Sequence, residues 1–264
     1  MISLKNIKKY FHKGSVNEVF ALNDINLEIG EGEFVTVIGS NGAGKSTLLN
    51  CIAGSFLPDS GSITINNCDV TAWPEYKRAK FISRVFQDPL LGTCPSATIQ
   101  QNMALAIRRG MSRGLAPGVK TKDKPFFREQ LKHLGLGLED RVMDIVGLLS
   151  GGQRQALTML MATMVRPEVL LLDEHIAALD PKTANQILSL TRDIVAEQNL
   201  TTLMITHNMK HAIAFGSRLI MLHQGRIILD VRGEEKMQLT VKDLLAQFYR
   251  SQGEELANDS LLLG

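Results

Sequence analysis

Eight consecutive residues, Gly39-Ser40-Asn41-Gly42-Ala43-Gly44-Lys45-Ser46, fit the pattern of a phosphate-binding loop at every position. Glycines at these spacings let backbone N–H groups converge on phosphate oxygens, and a helix starting at Lys45 adds the partial positive charge of its N-terminus. Lys45 is expected to reach the β- and γ-phosphates of a nucleotide, Ser46 to coordinate Mg2+, and Thr47 to help hold the phosphates. A second glycine loop, Leu149-Ser150-Gly151-Gly152-Gln153, precedes the helix-compatible run Arg154 to Val165. Its backbone donors and serine hydroxyl suit a phosphate, an arrangement that an ordinary N-cap shares. Shortly afterwards the apolar run Val169-Leu170-Leu171-Leu172 ends in Asp173-Glu174. Adjacent acids after a strand can simply open a loop, but the carboxyl end of a buried strand is where open α/β sheets bind ligands. Asp173 is therefore assigned to hold Mg2+ through water, and Glu174 to polarise an attacking water.

The elements that must position these groups can be read from periodicity. Ile25, Leu27 and Ile29 alternate with polar residues, the Gly30-Glu31-Gly32-Glu33 turn follows, and the apolar run Phe34 to Ile38 predicts a buried strand directly before the phosphate loop. Lys45 to Ala53 predicts a helix, and Ser62 to Ile65 a short strand. From about Pro89 to Leu149 strand patterns disappear. Helices are expected over Ile99 to Arg109 and Phe126 to Leu134, with a mobile connection over Gly110 to Lys124. The α/β pattern then resumes with a strand at Val169 to Leu172, a helix from about Pro181 to Gln198, a strand at Thr202 to Ile205, and a hairpin Leu219 to Leu229 turning at Gln224-Gly225. From Gly253 the chain is polar and then Leu-rich, which leaves partial disorder and a short helix both open.

With 264 residues, 44% of them hydrophobic, the chain can bury a sizeable core. Its 29 basic and 27 acidic side chains, net +2, make no bulk electrostatic case for a nucleic-acid binder. No run approaches the ~18 apolar residues of a membrane-spanning helix, and Lys5, Lys8 and Lys9 interrupt any signal-peptide core. Any membrane work is expected to pass through a partner. Cys51, Cys68 and Cys94 lack the paired spacing of a zinc site and suit a reducing cytoplasm. Between Arg108 and Lys132, Arg108, Arg109, Arg113, Lys120, Lys122, Lys124, Arg128 and Lys132 face only Asp123 and Glu129. Such a run reads either as a solvated face or as one close to anionic lipid headgroups.

Taken in chain order, these motifs resemble the ABC ATPase family over about Leu4 to Phe248. The resemblance rests on the phosphate loop, Gln87 in Val85-Phe86-Gln87-Asp88-Pro89, the Leu149 to Gln153 signature, Asp173-Glu174, Ala178-Leu179-Asp180, and His207 in Ile205-Thr206-His207-Asn208. It implies an α/β fold, with a P-loop NTPase core of the ABC ATPase type, an N-terminal antiparallel β subdomain, and an inserted α-helical subdomain at about 89–149. One domain is expected over 1–250, followed by a tail at 251–264. Gln87 resembles the residue that senses Mg2+ and the attacking water, joining Ser46 and Asp173 at the metal. His207 resembles the switch histidine that contacts the γ-phosphate and helps hold Glu174, and Asp180 the acid of a loop crossing a dimer interface. Tyr10 matches the aromatic that stacks on adenine, with adjacent Phe11 leaving the register open.

The same resemblance implies a head-to-tail dimer of two copies, in which Ser150, Gly151, Gly152 and Gln153 of one close over ATP held by the phosphate loop of the other. Integral membrane permease subunits are the expected partners, on the cytoplasmic face of the membrane, where the chain would be peripheral. One departure is informative. The family commonly has Asp-Glu-Pro where this chain has Asp173-Glu174-His175. With Val146 to Leu149 and His207 to Ala212, this looks like ATPases of bacterial importers that use a substrate-binding lipoprotein, often described as tryptophan or tyrosine systems. His175 is open to a role in the site or in packing. Import of an amino acid or similar solute is expected. Export or lipoprotein release is the alternative suggested by the Gly14 to Val19 loop; a soluble ABC protein is disfavoured, with neither a second ATPase unit nor a coiled-coil insertion visible.

Overall fold

The computed structural model describes residues 1–111, 118–120 and 122–262, with the backbone alone from 252 to 262. Arg113 and much of the expected Gly110 to Lys124 connection lie outside the described residues, as do 263 and 264 of the tail. The chain opens with β1 (Ile2–Phe11), β2 (Val19–Ile29), β3 (Phe34–Gly39), α1 (Lys45–Ala53), β4 (Ser60–Ile65) and β5 (Cys68–Asp69). Then come α2 (Glu75–Arg78), β6 (Ile82–Val85), α3 (Ile99–Ala106), α4 (Asp123–Lys132), α5 (Gly151–Thr163), β7 (Val169–Asp173) and α6 (Pro181–Glu197). It ends with β8 (Thr202–Ile205), α7 (Met209–Ala214), β9 (Arg218–His223), β10 (Arg226–Arg232), α8 (Gly233–Gln238) and α9 (Val241–Leu262). Two compact units divide it, Met1–Pro74 with Leu203–Gly264, and Glu75–Thr202.

In the first unit, an antiparallel sheet in the order β2-β1-β4-β5 forms the expected N-terminal β layer. Along β2, Ile25, Leu27 and Ile29 are buried while Asn26 and Glu28 are exposed on the intervening positions, the period of two that a half-buried strand requires. The buried run Val35 to Ile38 of β3 lies parallel to β9, from Val35 against Arg218 to Gly39 against Leu222. β9 and β10 are joined by the two-residue turn Gln224-Gly225, with φ of 44° and 72°. Positive φ at both residues is the type I′ geometry that matches strand twist. Ile38, Leu219, Met221 and Val231 pack with Ala212 of α7 and Leu244 of α9 into one apolar cluster. Buried Arg218 is fully engaged, donating from Nε and Nη2 to Asp230 at 2.6 Å each and from Nη1 to the Glu28 carbonyl at 2.6 Å. Such charge-assisted pairing is what makes a buried cation tolerable.

In the second unit, β6 and β7 run parallel, from Ile82 against Val169 to Val85 against Leu172. Between 89 and 149 the described residues form helices and turns, with an isolated antiparallel bridge between Thr98 and Ile145. Their core gathers Ile99 and Met103 of α3, Phe127 and Leu131 of α4, and Leu149, Leu157 and Leu160 around α5. Phe127 and Leu131, four apart, share the buried face of a short helix whose other positions are largely polar. Relative to expectation, α3 stops at Ala106 and α4 begins at Asp123, whose carboxylate accepts from the Lys120 amide at 3.2 Å and so begins the first turn three residues early. The backbone of α9 is helical from Val241 through Leu262.

Candidate nucleotide site

The phosphate-loop candidates lie in the first unit. β3 ends at Gly39, φ 156°, where a Cβ would lie 2.3 Å from the Leu222 carbonyl oxygen. Gly44, at φ 98°, is equally constrained, because a Cβ would lie 2.5 Å from the Ala21 carbonyl oxygen. Only glycine combines that backbone with that clearance. At Gly42 nothing lies within 4 Å of a Cβ position, so this face of the loop is open. Gly44 caps α1 without a side-chain hydrogen bond, so the cap itself contributes no side chain over the first-turn N–H groups. The hairpin turn supports the loop from behind: the Gly225 amide donates to the Ala43 carbonyl at 3.0 Å.

Lys45 is 5% exposed, and its Nζ donates to the Gly39 and Ser40 carbonyl oxygens at 2.8 Å each. Those bonds hold the ammonium against the inner curve of the loop, where it adds positive charge to the convergent amides. Ser46 is exposed and Thr47 half-buried, both within the first turn of the helix. An open cradle, a helix N-terminus and a fixed ammonium fit a polyphosphate. The hydroxyl of Ser46 is a hard oxygen donor of the type Mg2+ prefers.

The aromatic candidates separate. Tyr10 stacks on Phe20 with centroids 4.1 Å apart and rings 4° from parallel, and Lys13 lies over the Tyr10 ring at 4.9 Å. Phe11 instead meets Phe56 edge-on at 5.3 Å. Asp59 fixes the Tyr10 backbone by accepting its amide at 2.6 Å. His207 is exposed at the end of β8, between Thr206, whose amide donates to Val37, and Asn208, which caps α7 by accepting from the amides of Lys210 and His211.

The second unit carries the acids and the signature loop. Asp173 ends β7 in an ion pair with Arg84 of β6 at 2.5 Å, both side chains largely buried, and the Arg84 guanidinium lies over the Phe86 ring at 4.6 Å. Glu174 adopts the left-handed conformation, φ 47°. Gln87 is exposed two residues beyond β6, and the Phe86 carbonyl before it accepts from Gln155 Nε2 of α5 at 3.3 Å. That bond ties the Gln87 segment to the helix that begins at the signature.

The signature is a reciprocal cap. Ser150 Oγ accepts from the Gln153 amide, and Gln153 Oε1 accepts from the Ser150 amide, both at 3.2 Å. Because the serine oxygen is an acceptor in this bond, its own hydrogen can be donated outward. Arg154 stiffens the approach by donating to the carbonyls of Val146, Gly147 and Leu149. Asp180 caps α6 by accepting from the Thr183 amide at 3.1 Å, and its hydrogen bonds to Thr183 hold its carboxyl below the usual range. Gly152 faces Thr183, where a Cβ would stand 2.3 Å from Cγ2.

The candidates therefore divide between the units: the phosphate loop, Tyr10 and His207 belong to the first, and Gln87, Ser150 to Gln153, Asp173, Glu174 and Asp180 to the second. Arg84 and Gln155 were not singled out from the sequence.

A family model described as ABC transporter matches residues 22–177. The tyrosine transport ATP-binding protein of Clostridioides difficile is 48% identical over 254 residues, covering 94% of this chain and 98% of that protein. The phosphonates import ATP-binding protein PhnC of Lactococcus lactis is 32% identical, covering 96% of this chain and all of that protein. Among solved structures, a dimeric ATP-binding cassette in a post-hydrolysis state bound to ADP and Pi aligns with a TM-score of 0.74 at 32% identity, covering 88% of this chain and 98% of that one. A nucleotide-free cassette from an ABC transporter aligns at 0.76 with 26% identity, covering 93% and 95%.

Proposed function

The chain belongs to the ABC transporter family and is an ATPase coupled to transport, and from that premise we propose that it powers import of an amino acid or similar small solute. The observation that carries the amino-acid reading is the 48% identity, along nearly the whole of both chains, to a tyrosine transport ATP-binding protein; the direction, import, is supported by the phosphonates import relative at 32%. No helix among the described residues is long and apolar enough to cross a membrane, so we assign the crossing to permease subunits, with this chain peripheral on their cytoplasmic side. A substrate-binding lipoprotein completes the proposed complex.

In the proposed mechanism, the amides of Gly39 to Ser46 and the Lys45 ammonium grip the β- and γ-phosphates. Mg2+, when bound, offsets phosphate charge; Ser46, Gln87 and Asp173 supply oxygen donors of the right type for it. Arg84 orients the Asp173 carboxylate, and Glu174 accepts a proton from the attacking water. His207 contacts the γ-phosphate, and Tyr10 stacks on the adenine. Ser150 and the amides that follow it donate to the γ-phosphate held by a second copy, which makes ATP the adhesive of a head-to-tail dimer and its hydrolysis the release.

Two substitutions test the chemistry. Glu174→Gln keeps the size of the side chain and removes its basicity. It is expected to lower ATP turnover by at least about 100-fold and to trap an ATP-bound dimer visible by size-exclusion chromatography. Lys45→Ala is expected to abolish nucleotide binding in a fluorescence titration. If Glu174→Gln remains monomeric in ATP and hydrolyses normally, the catalytic assignment fails. The transport reading is tested by purifying the tagged protein from native membranes with mass spectrometry of what stays bound. A permease with a substrate-binding lipoprotein supports import, a permease with a large extracytoplasmic domain supports export, and ribosomal or DNA-repair proteins without a permease overturn transport.

A further inference from the structure

Glu174 holds a conformation that its residue type disfavours. A left-handed backbone costs a non-glycine residue roughly 1–2 kcal/mol, and it persists only where the surroundings over-determine it. On one side, Asp173 is fixed by Arg84 at 2.5 Å. On the other, the Ala177 amide closes a turn onto the Glu174 carbonyl at 2.9 Å, and Asp180 begins α6. The side chain directly after Glu174 is the buried His175, 2% exposed, and it reaches into the body of α6, where its Nε2 lies 3.1 Å from Oγ1 of fully buried Thr191.

The direction of that hydrogen bond follows from its neighbours. Thr191 Oγ1 lies 2.8 Å from the Ile187 carbonyl oxygen, which can only accept, so the single hydroxyl hydrogen is committed there. Thr191 must therefore accept from His175, and the imidazole carries a proton on Nε2. Imidazole, hydroxyl and helix carbonyl form a chain of fixed polarity away from solvent, where such bonds are strong and expensive to break.

We propose that His175 is a positioning residue for the hydrolysis reaction: by bracing against Thr191 it holds the adjacent Glu174 backbone left-handed and so aims the Glu174 carboxylate. The proposal rests on the reading of Glu174 as the group that accepts the water's proton. Removing the brace lets the backbone relax towards ordinary conformations. Displacing a reacting group by about 1 Å costs on the order of 100-fold in rate. Nucleotide affinity, which resides on the phosphate loop, is not expected to follow.

Steady-state ATP hydrolysis and nucleotide binding of the full chain test this in Thr191→Val, Thr191→Ser, His175→Ala and Glu174→Gln. Thr191→Val preserves shape and removes the acceptor. It and His175→Ala are expected to lower kcat by roughly 10- to 100-fold with KM for ATP changed less than about twofold, and the double variant to fall no further than the worse single one. Thr191→Ser restores the hydroxyl and is expected to restore kcat. On the unaltered protein, nitrogen-15 spectra of the imidazole are expected to show Nε2 protonated. A wild-type kcat in a folded Thr191→Val variant, a Thr191→Ser rate as low as that of Thr191→Val, or a ring protonated at Nδ1 alone would overturn the proposal. If Glu174→Gln turns over normally, the assignment of Glu174 has failed; if it is inactive while Thr191→Val is normal, only the brace has failed.

Discussion

The ion pair between Arg84 and Asp173 illustrates what single residues do here. Both side chains are largely buried, at 12% and 15% exposure, so removing one leaves the other as an uncompensated charge away from bulk water. Arg84→Met is expected to destabilise the protein by on the order of 3 kcal/mol in urea unfolding, and adding Asp173→Asn to recover part of that loss. Asp173 itself was legible in the sequence, because a buried strand ending in acids is a local pattern. Its partner was not, since Arg84 stands 89 positions away and an arginine in a short strand has no periodic signature. Gln155 and Phe86, 69 positions apart, and Thr191 as the support of His175 share that reason. The motifs mark the groups proposed to act on phosphate, while the residues that hold those groups are chosen by tertiary contact.

At the level of elements, the contact between α5 and the start of α6 is set by one missing methyl group. Gly152→Ala places a carbon 2.3 Å from Thr183 Cγ2, far inside contact distance, and is expected to cost about 1–3 kcal/mol as overpacking does elsewhere. Thr183→Ser removes the offending methyl, so the double variant is expected to regain most of that stability in thermal melts. The reciprocal cap at Ser150 makes a separable contribution. Ser150→Ala leaves the Gln153 amide without its acceptor and is expected to lower stability by about 1 kcal/mol. Elements with a strong local pattern were readable: β8 spans Thr202–Ile205 as expected, and α6 begins at Pro181 behind an aspartate cap. β6, four residues interrupted by Arg84, was too short to show a period. β1 was obscured for another reason. Its register shifts between Leu4 and Ile7 and again around Lys9, so inward and outward positions lose their strict alternation.

For the molecule as a whole, the pH dependence of stability carries a recognisable contribution from Lys236, whose Nζ donates to the Phe215 and Gly216 carbonyls after α7. Burial pushes its ammonium down from the usual 10.5 to about 8. The folded value lies below the unfolded one, so between about pH 8 and 10.5 the unfolded chain keeps a proton that the folded chain has shed. Stability from this group therefore rises with pH across that window. Chemical denaturation of the wild type and Lys236→Met at pH 8 and 10.5 is expected to show a relative gain for the wild type at the higher pH. The backbone of Glu174 bears on the entire fold in a different currency. At φ 47° it is a position where glycine is the more comfortable occupant, so Glu174→Gly is expected to melt no lower than the wild type, and up to about 1 kcal/mol more stably, while hydrolysing nothing. A population of variants sorted only for thermal endurance would thus drift away from the acid. On the role proposed for Glu174, turnover and folding stability thus favour different residues at this one position.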